Sequence, residues 1–176
     1  KNKLKVEFNL PVDSVTALNK VNYSVAPFDI GVINISFDAN RAVIYLNLEN
    51  KAQIGATGKT YILSVKNVYS SNGIKIVDGA GGSFGLIFNK EDLKDVYVYP
   101  NPWNPNLGQD YITFANLTIT DNIKIFDLNG NFIGEVDEKD GNGGAEWNLT
   151  DRAGNKIASG IYIYRATGKN SQGVEV

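Results

Sequence analysis

The feature that most constrains this chain is strict alternation. Leu4, Val6, Phe8 and Leu10 alternate with Lys3, Lys5, Glu7 and Asn9, and Ile33, Ile35 and Phe37 alternate with Asn34 and Ser36. Successive side chains on a strand point to opposite faces, so this period predicts half-buried strands. The runs Ala42–Leu48 and Tyr61–Val65 add β-branched and aromatic residues. Turn clusters separate the runs: Asp38-Ala39-Asn40, Asn50-Lys51, Gly55–Gly58 and Ser70–Gly73. No segment carries a helical stripe, and Val12–Lys20 is expected to supply at most one short turn. Further strands are predicted at Tyr111–Leu117, Ile123–Asp127, Phe132–Val136, Ala145–Leu149 and Gly160–Thr167. Asn129-Gly130 marks a hairpin, because both residues tolerate the positive φ of a tight turn. Asp151–Asn155 reads as a second turn and Asp137–Gly144 as a polar loop.

This spacing predicts an all-β chain, two tandem immunoglobulin-like antiparallel β-sandwiches over 1–89 and 95–176. The polar stretch Asn89–Asp95 is read as the linker. The 176 residues suit two such modules of under about 100 residues each. No residue pattern repeats at a fixed offset between the halves.

Composition removes several functions. The chain has neither His nor Cys, which excludes disulfides, thiolate metal sites and Ser-His-Asp or Cys-His catalysis within it. The net charge is −2, with Lys and Arg interspersed among acids, so no phosphate-binding surface is expected. No apolar run approaches the roughly 20 residues of a membrane-spanning helix. We expect no catalytic residues, no cofactor and no metal ligands. With no Met and Lys1 first, the chain reads as a processed product or an excised fragment.

Two stretches are more specific. The first is Tyr99-Pro100-Asn101-Pro102-Trp103-Asn104-Pro105, which holds three of the five prolines. Proline donates no backbone hydrogen bond, so this stretch is expected as extended edge or loop and as a possible recognition surface. Trp103 alternatively caps one end of the core. The second stretch runs Ile125–Asn129-Gly130, then Trp147, Asp151–Gly154, and Ala158-Ser159-Gly160-Ile161-Tyr162-Ile163-Tyr164. In this order and spacing the two stretches resemble the C-terminal sorting domains of type IX secretion cargo and the immunoglobulin-like domain of the flagellar hook-cap protein, over about residues 95–170. The family-motif residues are Asn129, Gly130, Trp147, Asp151, Gly154, Ser159, Gly160, Tyr162 and Tyr164. The first half is similar to bacterial immunoglobulin-like domains of S-layer and secreted proteins, on Val6-Glu7-Phe8, Val12-Asp13, Asn22–Val25, Tyr61–Val65 and Asn72-Gly73.

The resemblance implies a non-catalytic, extracellular or cell-surface module, read by outer-membrane export machinery and often removed or joined to a surface lipid by a separate enzyme. The first half would then be a spacer. The chain departs from the family pattern in stopping at Val176, where a last strand with basic residues usually follows, and in reading Asn148-Leu149-Thr150-Asp151 after Trp147. Two rivals stand beside this reading. An open sandwich edge filled by a neighbouring copy would make the chain a subunit of an extracellular filament or surface layer. An aromatic platform of Trp147 with Tyr162 and Tyr164, or of Trp103, would make it a carbohydrate-binding accessory domain that meets surface glycan. Alternation puts the two tyrosines on one sheet face and Ile161 and Ile163 on the other, and one of those faces must be core.

The remaining motifs carry less. Asp137-Glu138-Lys139-Asp140-Gly141-Asn142-Gly143 has oxygen ligands in a Gly-rich loop, but an EF-hand starting at Glu138 needs an acid where Leu149 stands, so a solvated hairpin loop is expected. Asp78–Gly85 lacks the Gly-Lys-Ser/Thr ending of a phosphate loop. Asn22, Asn34, Asn116 and Asn148 open Asn-x-Ser/Thr triplets, and Asp13-Ser14-Val15 resembles a bacterial O-glycosylation triplet.

Overall fold

The computed structural model describes residues 3–27, 30–49, 54–77 and 82–176. Lys1, the Asn50-Lys51 turn and the start of the Asp78–Gly85 loop lie outside the described residues. The chain divides into two compact units, Lys1–Ile54 with Tyr61–Leu86, and Gly55–Thr60 with Ile87–Val176. The second unit therefore contains both the Asn89–Asp95 stretch expected as linker and a short loop drawn from the first half of the sequence.

The first unit holds two three-stranded antiparallel sheets. One is ordered β1 (Lys3–Glu7), β4 (Val43–Leu48), β3 (Val32–Phe37); the other β2 (Tyr23–Ala26), β5 (Tyr61–Val65), β6 (Ser83–Leu86). Central strands have neighbours on both sides, and they supply the core: Ile44, Leu46 and Leu48 from β4, and Tyr61, Leu63 and Val65 from β5, are all buried. The first strand is shorter than its alternation suggests, because Pro11 follows closely and cannot extend a ladder; Leu10 is exposed. Within Val12–Lys20 lies a four-residue helix, Ser14–Ala17, with Asp13 as its N-cap accepting from Thr16 N at 2.9 Å. The Tyr23 hydroxyl donates to Ala17 O at 2.8 Å, which satisfies a phenol that burial would otherwise penalise.

The second unit repeats the plan. Its sheets are β11 (Gly144–Trp147), β8 (Ile112–Ala115), β7 (Tyr97–Tyr99), and β10 (Phe132–Glu138), β9 (Thr120–Phe126), β12 (Ile163–Lys169). Phe114, Ala145 and Trp147 from one sheet and Ile123 and Ile125 from the other form a single apolar cluster with Leu117 and Leu149. Contact between inward faces of two sheets is what makes this unit a sandwich. Loop Gly55–Thr60 is bound into it: Asn116 N donates to Ala56 O at 2.7 Å, and the Tyr99 hydroxyl to Thr57 O at 2.7 Å. Gly144 and Gly58 are in backbone contact, and a Cβ on Gly144 would overlap Gly58.

Three hairpin turns of this unit share one construction. Asp127, Asp151 and Asn170 each accept, through one side-chain oxygen, the amides two and four residues on. Each also accepts a backbone bond from a glycine three residues on, Gly130, Gly154 or Gly173, all with φ near +80°. Hydrogen bonding by these turns holds the carboxyls of Asp127 and Asp151 below the usual aspartate range.

Two acids are buried. Asp121, on β9, is buried and accepts from Thr118 N and Oγ1 at 2.7 and 2.9 Å. Glu138, at the end of β10, is 2 % exposed. The loop after it is not the solvated one expected, since Asn142 is buried too.

Candidate functional site

A groove of about 620 Å³ opens at one edge of the second unit. Its walls come from two places in the sequence: Val98 and Pro100–Trp103 on one side, and Ile157–Tyr164 on the other. They meet because β7 and β12 are edge strands of the two sheets, and the Tyr164 hydroxyl reaches Val96 O at 3.3 Å. Ile112, Phe114 and Ile125 underlie the groove, and Asp110 and Lys156 give it one charge of each sign.

Pro100, Asn101, Pro102 and Trp103 therefore face the same groove as Trp147, Ser159, Gly160, Tyr162 and Tyr164. Tyr99 ends β7 and turns its hydroxyl to Thr57. Asn104 and Pro105 do other work: Asn104 caps the short 3-10 helix Pro105–Leu107, accepting from Asn106 N at 2.9 Å, with Pro105 in its first turn. Asn129 and Gly130 form the β9–β10 hairpin, and Asp151 and Gly154 the turn before the groove wall.

The aromatic side chains are fixed from behind. Trp103 Nε1 donates to Gln109 O at 2.7 Å, Trp147 Nε1 to Thr150 O at 3.0 Å, and the Tyr162 hydroxyl to Ala158 O at 2.8 Å. Trp147 meets Tyr162 edge-on, centroids 6.0 Å apart, and Phe114 meets Tyr164 likewise at 5.1 Å. Trp147 is only 4 % exposed, so its face is core and is not open to stack a sugar. The alternation resolves with the tyrosines toward the core; Ile161 and Ile163 are 72 % and 52 % exposed on the other side. Those two isoleucines lie in the second motif stretch but are not among its family-motif residues; Val98, Asp110, Ile112, Lys156 and Ile157 are groove residues outside both stretches. Apolar residues alternating out of register with a paired core face were the available signal.

Geometry thus defines an immunoglobulin-like sandwich with an apolar, aromatic edge groove, in which the polar atoms of Trp103, Trp147 and Tyr162 are tied internally. Within that class, residues 97–175 match the family described as Secretion system C-terminal sorting domain. The match makes the chain a module of a secreted or cell-surface protein. No curated protein matches it. Among solved structures it is similar to dimeric latent PorU from Porphyromonas gingivalis, at 18 % identity over 99 % of this chain and 17 % of that one, with a TM-score of 0.35. It is similar to the N-terminal part of the bacterial S-layer protein SbsC, at 19 % identity over 99 % and 39 %, TM-score 0.43. It is also similar to PorZ, a surface component of the type-IX secretion system of the same Porphyromonas, at 19 % identity over 84 % and 22 %, TM-score 0.40. The chain thus spans 17 % to 39 % of the length of these proteins. No helix among the described residues is long and apolar enough to cross a membrane.

Proposed function

We propose that the second unit is an export and surface-anchoring signal read by secretion machinery at the edge groove, and that the first unit is a non-catalytic spacer. The observation that carries this reading is the sorting-domain match over residues 97–175, whose two motif stretches are the two walls of the groove. A recognition surface needs side chains that are already ordered, because ordering them on contact costs binding free energy. The internal hydrogen bonds of Trp103, Trp147 and Tyr162 supply that order.

The test is delivery of the full chain to the cell surface in a host with this secretion system. Trp103→Ala combined with Ile161→Lys is expected to reduce surface protein strongly while Trp147 fluorescence and the thermal midpoint report a folded sandwich. Undiminished delivery of the folded variant would overturn the reading.

A second reading rests on the exposed Ile161 and Ile163 beside the edge strand β12. An apolar edge is a template for pairing with a neighbouring copy, as in a filament or surface layer. Light scattering of the purified chain separates the two: concentration-dependent polymers that Ile163→Lys dissolves support self-assembly, and monomers remove it.

A further inference from the structure

The second unit contains a buried acid that neither export nor the groove uses. Glu138 closes β10, and its Oε1 accepts from Gly143 N at 3.2 Å, across the loop to β11. Its Oε2 is buried without a hydrogen-bond partner, and its carboxyl lies against that of Asp140. Two acceptor-only carboxylates in contact repel, and a buried oxygen facing another needs something positive between them. Among the described residues no third acidic side chain joins them into a metal-ligand set. Of the neighbouring charges, Asp121, opposite Glu138 on β9, accepts from Thr118 and is itself pushed up by burial, Asp137 pairs with Lys139 at 2.9 Å, and Lys169 and Glu175 line the same pocket as Glu138 from the C-terminal segment. Asp140 in turn accepts from Asn142 N and Nδ2 at 3.2 and 2.8 Å.

We infer that Glu138 is held as the carboxylic acid and donates its proton to the Asp140 carboxylate, forming a latch that closes the β10–β11 loop and loosens when that proton is lost. Burial, then the neighbouring Asp140, push the Glu138 carboxyl up to about 7. The loop it closes crosses from one sheet to the other. Its bonds Leu117 N to Gly143 O, at 3.0 Å, and Gly58 N to Asn142 O, at 3.3 Å, depend on the same closed shape. An acid raised in the folded state binds more protons there than when unfolded. Its stabilisation is therefore complete below the ordinary glutamate range and is lost as pH rises through about 7. The absence of histidine leaves this window almost free of other titrating side chains.

The experiment follows thermal and denaturant unfolding of the full chain by tryptophan fluorescence between pH 5 and 8.5. The wild-type unfolding equilibrium constant is expected to rise on the order of 50-fold across that range. Glu138→Gln, whose amide still donates to Asp140, is expected to flatten the profile. A flat wild-type profile, or an undiminished slope in Glu138→Gln, would overturn the inference. So would calcium chloride at pH 8 raising the wild-type midpoint but not that of Glu138→Gln, since a cation would then hold the place given to the proton. Should Glu138→Gln not fold, carboxyl carbon NMR of the wild-type chain decides directly: titration of Glu138 near 7 supports the latch, and titration near 4.5 removes it.

Discussion

The two units share one plan of paired three-stranded sheets, and they differ at their edges. In the first, edge strand β1 reads Lys3-Leu4-Lys5-Val6-Glu7, with charges on its outward face, and edge strand β6 is a short Ser83-Phe84-Gly85-Leu86. Charge, brevity and glycine are the devices by which sheet edges avoid unwanted pairing. In the second, β12 opens on Ile163 and Tyr164 directly after Ile161 and Tyr162, and becomes polar only at Arg165 and beyond. Both units bury an aromatic side chain on a central strand, Tyr61 on β5 and Phe114 on β8. The second sets a further row of aromatic and branched side chains along an edge groove. The contrast teaches that one core plan leaves the edges free to differ: β1 is charged and β6 is short, while β12 opens on apolar and aromatic residues.

The comparison can be broken at several depths. Phe114→Ala removes the central aromatic of the second unit and should cost about 3–5 kcal/mol. Both tryptophans, Trp103 and Trp147, lie in that unit, so their fluorescence reads its unfolding; a shift much smaller than this would mean the cluster is not its core. Next is Gly143→Ala, whose Cβ would overlap Ala56 at a backbone with φ of +73°; it should cost about 2 kcal/mol or more by denaturant unfolding. Gly130→Ala has the same left-handed backbone but open space around it, so about 1 kcal/mol is expected from conformation alone. The difference between these two glycines measures close packing apart from backbone strain. Ile163→Lys should change stability by no more than about 0.5 kcal/mol yet lower surface delivery, and equal delivery would show that the presented edge is incidental.

The smallest effect is at acid pH. Asp127 and Asp151 have carboxyls lowered by hydrogen bonds in their turns. The stabilisation they give is present above the ordinary aspartate range and is lost as pH falls through their lowered values, the opposite sign to Glu138. Asp127→Ala and Asp151→Ala should therefore shallow the loss of stability between pH 4 and 2, followed by circular dichroism.

Much of this was legible in the residues. Alternation at Lys3–Leu10 and Tyr61–Val65 reports a local, two-residue property of the backbone, so the strands were readable. Asn129-Gly130 and Asp151–Gly154 were readable as turns because the residues that close them lie within one turn. What stayed hidden depends on distant contacts. Nothing local in Gly55–Thr60 says that it joins the second unit, since its partners Tyr99, Asn116 and Asn142 lie about 40 to 90 residues away. Glu138 sits in a run of polar residues, and only the approach of Gly143 and Asp140 makes it a buried acid. The groove was half legible: its two walls stood out as motifs, but their meeting needed the pairing of β7 and β12 into opposite sheets.

The three matching turns have one further consequence. Every bond that closes them lies within five consecutive residues, so forming one requires no distant stretch of polypeptide to have arrived. A strand pair joined this way can assemble as the chain emerges piecemeal, from a ribosome or across a membrane, before the rest of the sandwich exists. Asp127, Asp151 and Asn170 can thus close their turns independently of the distant pairings that complete the sandwich.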